Sequence, residues 1–197
     1  MLGRAKPYPI FLLPLLRTAT EEEDDGAAGE KKKQVGTEFF FLEWGFHSAP
    51  PPPHSSADPL HDALFNTKKD DPMIRPLSLS KPLPPITTVL FTTLQEYKLH
   101  GAFAPPRLVL THYTDLAHTH GIVLLRGEIT NSSSSGGYLL SQIDAQLLAT
   151  GLQRFYLPVQ GAEGEKAFEL LKVFHEDPDR FEYEQLIEFR DPGLRPT

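Results

Sequence analysis

Residues 107–129 read RLVLTHYTDLAHTHGIVLLRGEI, two β-rich apolar runs on either side of a short polar crossing that closes on Gly121. Leu108, Val109 and Leu110 make one run; Ile122, Val123, Leu124 and Leu125 make the other. Both are too short for helices and nearly continuous in apolar character, the pattern of a sheet strand buried on both faces. Between them TDLAHTH has the length for one turn of helix or a wide loop. Gly121 then lets the backbone reverse without strain before the second strand begins.

Working upstream, ITTVLFT at 86–92 has strand character, and Thr93-x-x-Glu96 after it forms a capping-box pattern. A short helix over LQEYKLH, stopped by Gly101, follows from that pattern. TEFFFLEWGF at 37–46 is aromatic and β-prone. Alternation puts Phe39, Phe41 and Glu43 on one face and Phe40, Leu42 and Trp44 on the other; any face left uncovered is a candidate docking patch. YPIFLLPLLR at 8–17 reads as a further strand. Pro9 and Pro14 cannot donate to a ladder, which pushes this strand toward a sheet edge or a bulge.

Downstream, Leu139, Leu140, Ile143, Leu147 and Leu148 fall on one stripe at helical spacing, predicting a helix over 138–150 with Gly151 as its left-handed cap. Residues 153–157 then read as a short strand. A second helix over about 164–176 buries Ala167, Phe168, Leu171 and Phe174 and ends before Pro178. FEYEQLIEF at 181–189 fits either period, and a helix is favoured. Six strands with interspersed helices predict one α+β domain, a mostly antiparallel or mixed sheet with helices packed on it.

Two segments interrupt that pattern, at about 18–36 and 47–83. The first holds six acids against three lysines over 21–33 and reads as a solvated loop. The second opens the stretch from Pro50 to Pro106, which holds twelve of the nineteen prolines. It reads as an insert with a helical turn near Leu60 to Phe65 and an extended run from Pro72 to Pro85. NSSSSGG at 131–137 is a polar loop. The first insert and residues 159–197, with ten acids against five bases, together account for −8, so the net charge of −7 leaves the remainder near neutral. Such a chain has no basic footprint for a phosphate backbone, which excludes nucleic-acid binding as a reading.

Absence of cysteine excludes disulfides, thiolate metal sites and a cysteine nucleophile. IFLLPLL is far short of the ~20 apolar residues of a membrane-spanning helix, so no membrane insertion is expected. His112, His118 and His120 invite a zinc reading, but their spacing does not place them on one helical face. Neither a G-x-S-x-G elbow nor a glycine-rich phosphate loop occurs. His112-Tyr113 reads either as a recognition pair at a strand end or as a satisfied imidazole beside a half-buried ring. A small hydrolase using His112 and a nearby acid, and an adaptor that docks a partner through Pro50–Pro53, remain the rival readings from the residues alone.

An ordered set of residues carries a resemblance. His112-Tyr113, an acid with Leu116, Gly121-Ile122-Val123-Leu124 and Glu128 are followed by Asp144-Ala145-Gln146, Gln153 with Phe155-Tyr156, and Phe181 with Tyr183; FFFLEW at 39–44 and LQEYKLHG at 94–101 precede them. Together they resemble the ATP-eleven family, the mitochondrial assembly factors that chaperone the β subunit of the ATP synthase catalytic head. The resemblance implies a monomeric, non-enzymatic, cofactor-free chaperone of the mitochondrial matrix that holds unassembled β subunit until the α subunit replaces it. His112, Tyr113, Glu128 and Trp44 are the expected partner-binding residues. It also implies that an import sequence and an N-terminal helical portion usual in the family are missing from this chain.

Overall fold

The computed structural model describes residues 1–20, 33–49, 83–118, 120–131 and 138–190. Five strands, β1 (Ile10–Thr20), β2 (Lys33–Phe46), β3 (Thr87–Thr93), β4 (Leu108–Tyr113) and β5 (Leu124–Ile129), pair in sequence order into one antiparallel sheet. Helices α1 (Leu2–Ala5), α2 (Leu94–His100), α3 (Gln142–Tyr156), α4 (Ala162–Glu176) and α5 (Tyr183–Arg190) complete the expected α+β architecture. Two compact units make up the chain: Met1–Gly45 with Thr88–Thr111 and Arg126–Thr197, and Phe46–Thr87 with His112–Leu125.

Within the first unit β1 lies at the sheet edge, where Pro14 needs no partner for a missing N–H. Its ladder with β2 runs from Ile10↔Glu43 to Thr20↔Lys33, so the ends of the predicted 18–36 insert belong to strands. Register sets Phe11 against Leu42 and Leu13 against Phe40. Phe11, Leu13, Leu15, Phe40, Leu42 and Trp44 are all buried in the main core cluster. Alternation therefore reads correctly. The opposite face of β2 is covered as well: Phe41 stacks on Tyr97 of α2 at 4.1 Å, and Phe39 meets Tyr183 of α5 edge-on at 5.8 Å. No docking patch survives on this strand.

Helix α2 begins as its capping box dictates, with Thr93 Oγ1 accepting from the Glu96 N–H at 3.3 Å. Gly101 ends it at φ +57°. Helix α3 departs from expectation. It starts at Gln142, capped by Ser141, and continues through Gly151 to Tyr156, absorbing the strand predicted at 153–157. Its buried face is Ala145, Leu148, Leu152, Phe155 and Tyr156, whereas Ile143 and Leu147 are exposed. Gly151 is not a cap. A Cβ there would sit 3.4 Å from Leu13 Cδ1, so the glycine lets the helix lie close on β1. Helix α4 matches its prediction and stops at Glu176, short of Pro178, and α5 resolves the ambiguous FEYEQLIEF as helix.

The N-terminal segment is fastened to the far end of the chain. Arg4 Nη1 donates to the carbonyls of Phe155 and Leu157 at 2.8 and 3.0 Å, and its guanidinium lies 4.4 Å over the Phe168 ring. Tyr156 donates its hydroxyl proton to the Tyr8 carbonyl at 2.9 Å, and Tyr8 donates to Glu176 Oε1 at 2.6 Å. Phe11 packs among Phe155, Phe174 and Phe181 with ring centroids 4.8, 5.4 and 6.4 Å away. Aromatic contacts of this kind each add about 0.5–1.5 kcal/mol beyond area burial.

In the second unit the polar crossing is a series of turns, with Ala117 N–H donating to Thr114 O and His120 N–H to Leu116 O. Gly121 takes φ +67°, as the reversal requires. His47 N–H donates to Ile86 O at 2.9 Å and the Thr114 hydroxyl to Pro84 O at 2.7 Å. The central parts of both inserts, including 21–32, the turn at 60–65 and the run from 72 to 82, and the loop at 132–137, lie outside the described residues.

Candidate functional site

β4 and β5 carry most of the residues singled out in the sequence, and the two strands differ sharply. Along β4, Leu108, Leu110 and His112 are buried while Val109, Thr111 and Tyr113 are half-buried. That is alternation rather than burial on both faces. Nδ1 of His112 lies 3.2 Å from the Thr87 hydroxyl, and the ring is 8% exposed. Burial holds the imidazole below its usual titration range, and the bond to Thr87 opposes that shift. A hydroxyl, not a carboxylate, thus orients this nitrogen, an arrangement suited to a structural imidazole rather than to a general base aligned by an acid. Tyr113, next along the strand, retains partial exposure.

β5 is the other edge of the sheet, and here the expectation of a buried strand fails. Ile122, Val123, Leu124 and Leu125 are 46, 49, 53 and 41% exposed. An edge strand has a neighbour on one side only, so a continuous apolar run there lacks the second layer that would bury it. Scattered exposed apolar residues are ordinary in folded proteins; four in succession on an edge form a patch. Farther along the strand Gly127 permits close approach to β4, since a Cβ would stand 3.2 Å from Leu110 Cδ2. Glu128 is exposed and pairs with Arg126 at 2.5 Å.

Trp44 is placed elsewhere. It is 5% exposed in the core, its ring 5.1 Å from that of Tyr156, so the indole has almost no surface to present. Burial also pushes the Tyr156 hydroxyl well above the ordinary phenol range, against a hydrogen bond with the Trp44 side chain that lowers it. His118 and His120, the other members of the histidine trio, are both exposed.

Two further surfaces escaped the sequence reading. Along α3 a shallow groove of about 220 Å³ is lined by Leu13, Pro14, Leu147, Gly151, Arg154 and Phe189 among others. Its rim is the apolar side of α3 that the predicted stripe had turned inward. The second is the short 3₁₀ turn Gly101–Phe103, where Phe103 is 93% exposed and Leu99, just upstream, 70%. An aromatic residue confined between a glycine and two prolines, GAFAPP, was the available signal for it.

Comparison with known proteins places these features in a lineage. The family described as ATP11 protein matches residues 1–187. Over 180 residues, 91% of this chain, the sequence is 29% identical to "Protein atp11, mitochondrial" of Schizosaccharomyces pombe, and those residues cover 43% of that protein. Over 108 residues, 54% of the chain, it is 32% identical to "ATP synthase mitochondrial F1 complex assembly factor 1" of Danio rerio, covering 32% of it. The human protein of the same name is 29% identical over 109 residues, 55% of the chain and 30% of its own length. The chain thus spans less than half the length of these relatives. With the family match running through the sheet and all five helices, the chain belongs to the ATP11 protein family.

Proposed function

We propose that this protein is a non-enzymatic assembly factor for the F1 part of mitochondrial ATP synthase, working in the matrix as a monomer that binds the unassembled β subunit until the α subunit displaces it. The family match over residues 1–187 carries the reading, because relatives in that family are named for F1 assembly. The uncovered apolar run Ile122–Leu125 supports it physically. An unassembled subunit exposes apolar interface that aggregates, and a chaperone covers such surface with apolar surface of its own. Binding must stay weaker than the native subunit contact, so a four-residue patch with a polar margin suits it better than an extended interface. Tyr113 and the Arg126–Glu128 pair are the contacts proposed beside that run, with His112 holding the strand end through Thr87. Trp44 acts through the core if it acts at all.

Light scattering of refolding, isolated β subunit tests the reading. Near-equimolar protein suppresses aggregation without nucleotide, since a binder with no energy source protects only what it covers, and added α subunit releases the client. Protection at far below equimolar ratio, a requirement for ATP, or no protection would refute it.

A further inference from the structure

We infer that the Gly101–Phe103 turn is a preformed apolar prong whose partner is a pocket on the client protein, apolar at its floor and rimmed by carboxylates. Phe103 is 93% exposed and Leu99 70%, the two most exposed large apolar side chains in the stretch that joins β3 to β4. The base beneath them is held from several directions. Tyr97 stacks on Phe41 at 4.1 Å, Glu96 pairs with His100 at 3.1 Å and with Arg107 at 3.5 Å, and Arg107 N–H donates to Phe91 O at 2.7 Å. Within the turn, Ala104 N–H closes on Gly101 O at 3.1 Å, and Pro105 and Pro106 follow. A large aromatic presented on a rigid turn loses little conformational freedom when it enters a pocket, which is the property of an interface anchor.

Charge selects the rim. From Tyr97 to Thr114 the sequence contains Lys98, His100 and Arg107 and no carboxylate, although the chain as a whole carries −7. Glu96 offsets His100 and Arg107, leaving the exposed Lys98 beside Leu99. A local positive surface around an apolar tip matches an acid-rimmed pocket. An anionic membrane is the poorer match. One aromatic, one leucine and one unneutralised lysine fall short of the two independent signals that stable membrane attachment takes, and the net negative charge repels an anionic leaflet.

This assignment rests on the proposed function, because the partner probed is isolated F1 β subunit. Phe103→Ser and Lys98→Glu, each confirmed by an unchanged urea midpoint, are compared with the unaltered protein in the β-subunit aggregation assay and in direct titration. Loss of affinity by about tenfold or more for Phe103→Ser, the scale of an interface anchor, together with weaker binding and a reduced salt dependence for Lys98→Glu, supports the prong. Protection by the unaltered protein that both variants retain in full refutes the prong and leaves the assembly function standing. Absence of protection by the unaltered protein refutes that function and the prong's assigned partner with it. Sedimentation with vesicles of phosphatidylcholine and phosphatidylserine, and self-association measured by ultracentrifugation, complete the test. If Phe103→Ser abolishes either of those while β-subunit binding is unchanged, the pocket assignment is wrong.

Discussion

Leu147 and Leu148 are neighbours on α3 with opposite environments, and exchanging each for alanine measures which way the helix faces. Leu148 is fully buried in the core, so Leu148→Ala removes its apolar contacts and leaves a cavity, a loss of roughly 2–5 kcal/mol. Leu147 is 43% exposed at the groove margin. Truncating it removes about half the transfer energy of a leucine, about 1 kcal/mol, and alanine's higher helix propensity returns a few tenths of that. The variants should differ by about 2 kcal/mol or more. In a urea titration with a slope of about 2 kcal/mol per molar, that separates their midpoints by about 1 M. Circular dichroism and tryptophan fluorescence both report it, since Trp44 packs on Tyr156 in the same helix. Coincident midpoints, or a lower midpoint for Leu147→Ala, would show that the helix is rotated from the orientation described.

The two glycines inside long helices should respond to alanine with opposite signs. A Cβ at Gly151 meets Leu13 at ordinary contact distance, so Gly151→Ala gains about 0.5–1 kcal/mol of helix stability, whereas at Gly164 it would lie 2.0 Å from the Val159 carbonyl oxygen, and Gly164→Ala should lose roughly 1–3 kcal/mol; thermal unfolding of both checks this. His112 makes stability depend on pH. Its folded pKa lies below that of the unfolded chain, about 6.5, so its contribution is complete above that value and is lost as pH falls from there through the folded pKa. The drop in urea midpoint between pH 7.5 and pH 5.5 should be smaller in His112→Gln, and an unchanged drop would refute the assignment.

Sequence carried the sheet well because its cues were local. Alternation in β2, the prolines of β1 and the Thr93–Glu96 capping box each act within a few residues, and each produced the structure it implies. Gly151 was misread for the opposite reason. Whether a glycine caps a helix or makes room for a strand depends on Leu13, far away in sequence, and nothing within the helix tells the two apart. Residues 153–157 failed likewise, since a short apolar run has no period of its own and took its helical form from the packing of Phe155 and Tyr156. The β5 run was legible as a strand, but its exposure depends on sheet order, which composition does not encode. For the same reason the partner-binding reading of Trp44 could not be weighed against core packing beforehand.

The bonds that fasten Arg4 and Tyr8 to Phe155, Leu157 and Glu176 span up to 168 residues of sequence, and that separation governs the order in which the polypeptide can mature. Contacts so distant form slowly, because a long loop must close before they add any stability. During synthesis, with the N-terminus leading, the first strand emerges early and then waits for about four-fifths of the chain before the rings that cover Phe11 exist. Until then Phe11, Leu13 and Leu15 stand open to water, an aggregation hazard in the nascent polypeptide. A chain halted before Phe155 therefore lacks the cap for its own beginning, and premature termination anywhere in the last quarter should yield insoluble product rather than a smaller folded domain.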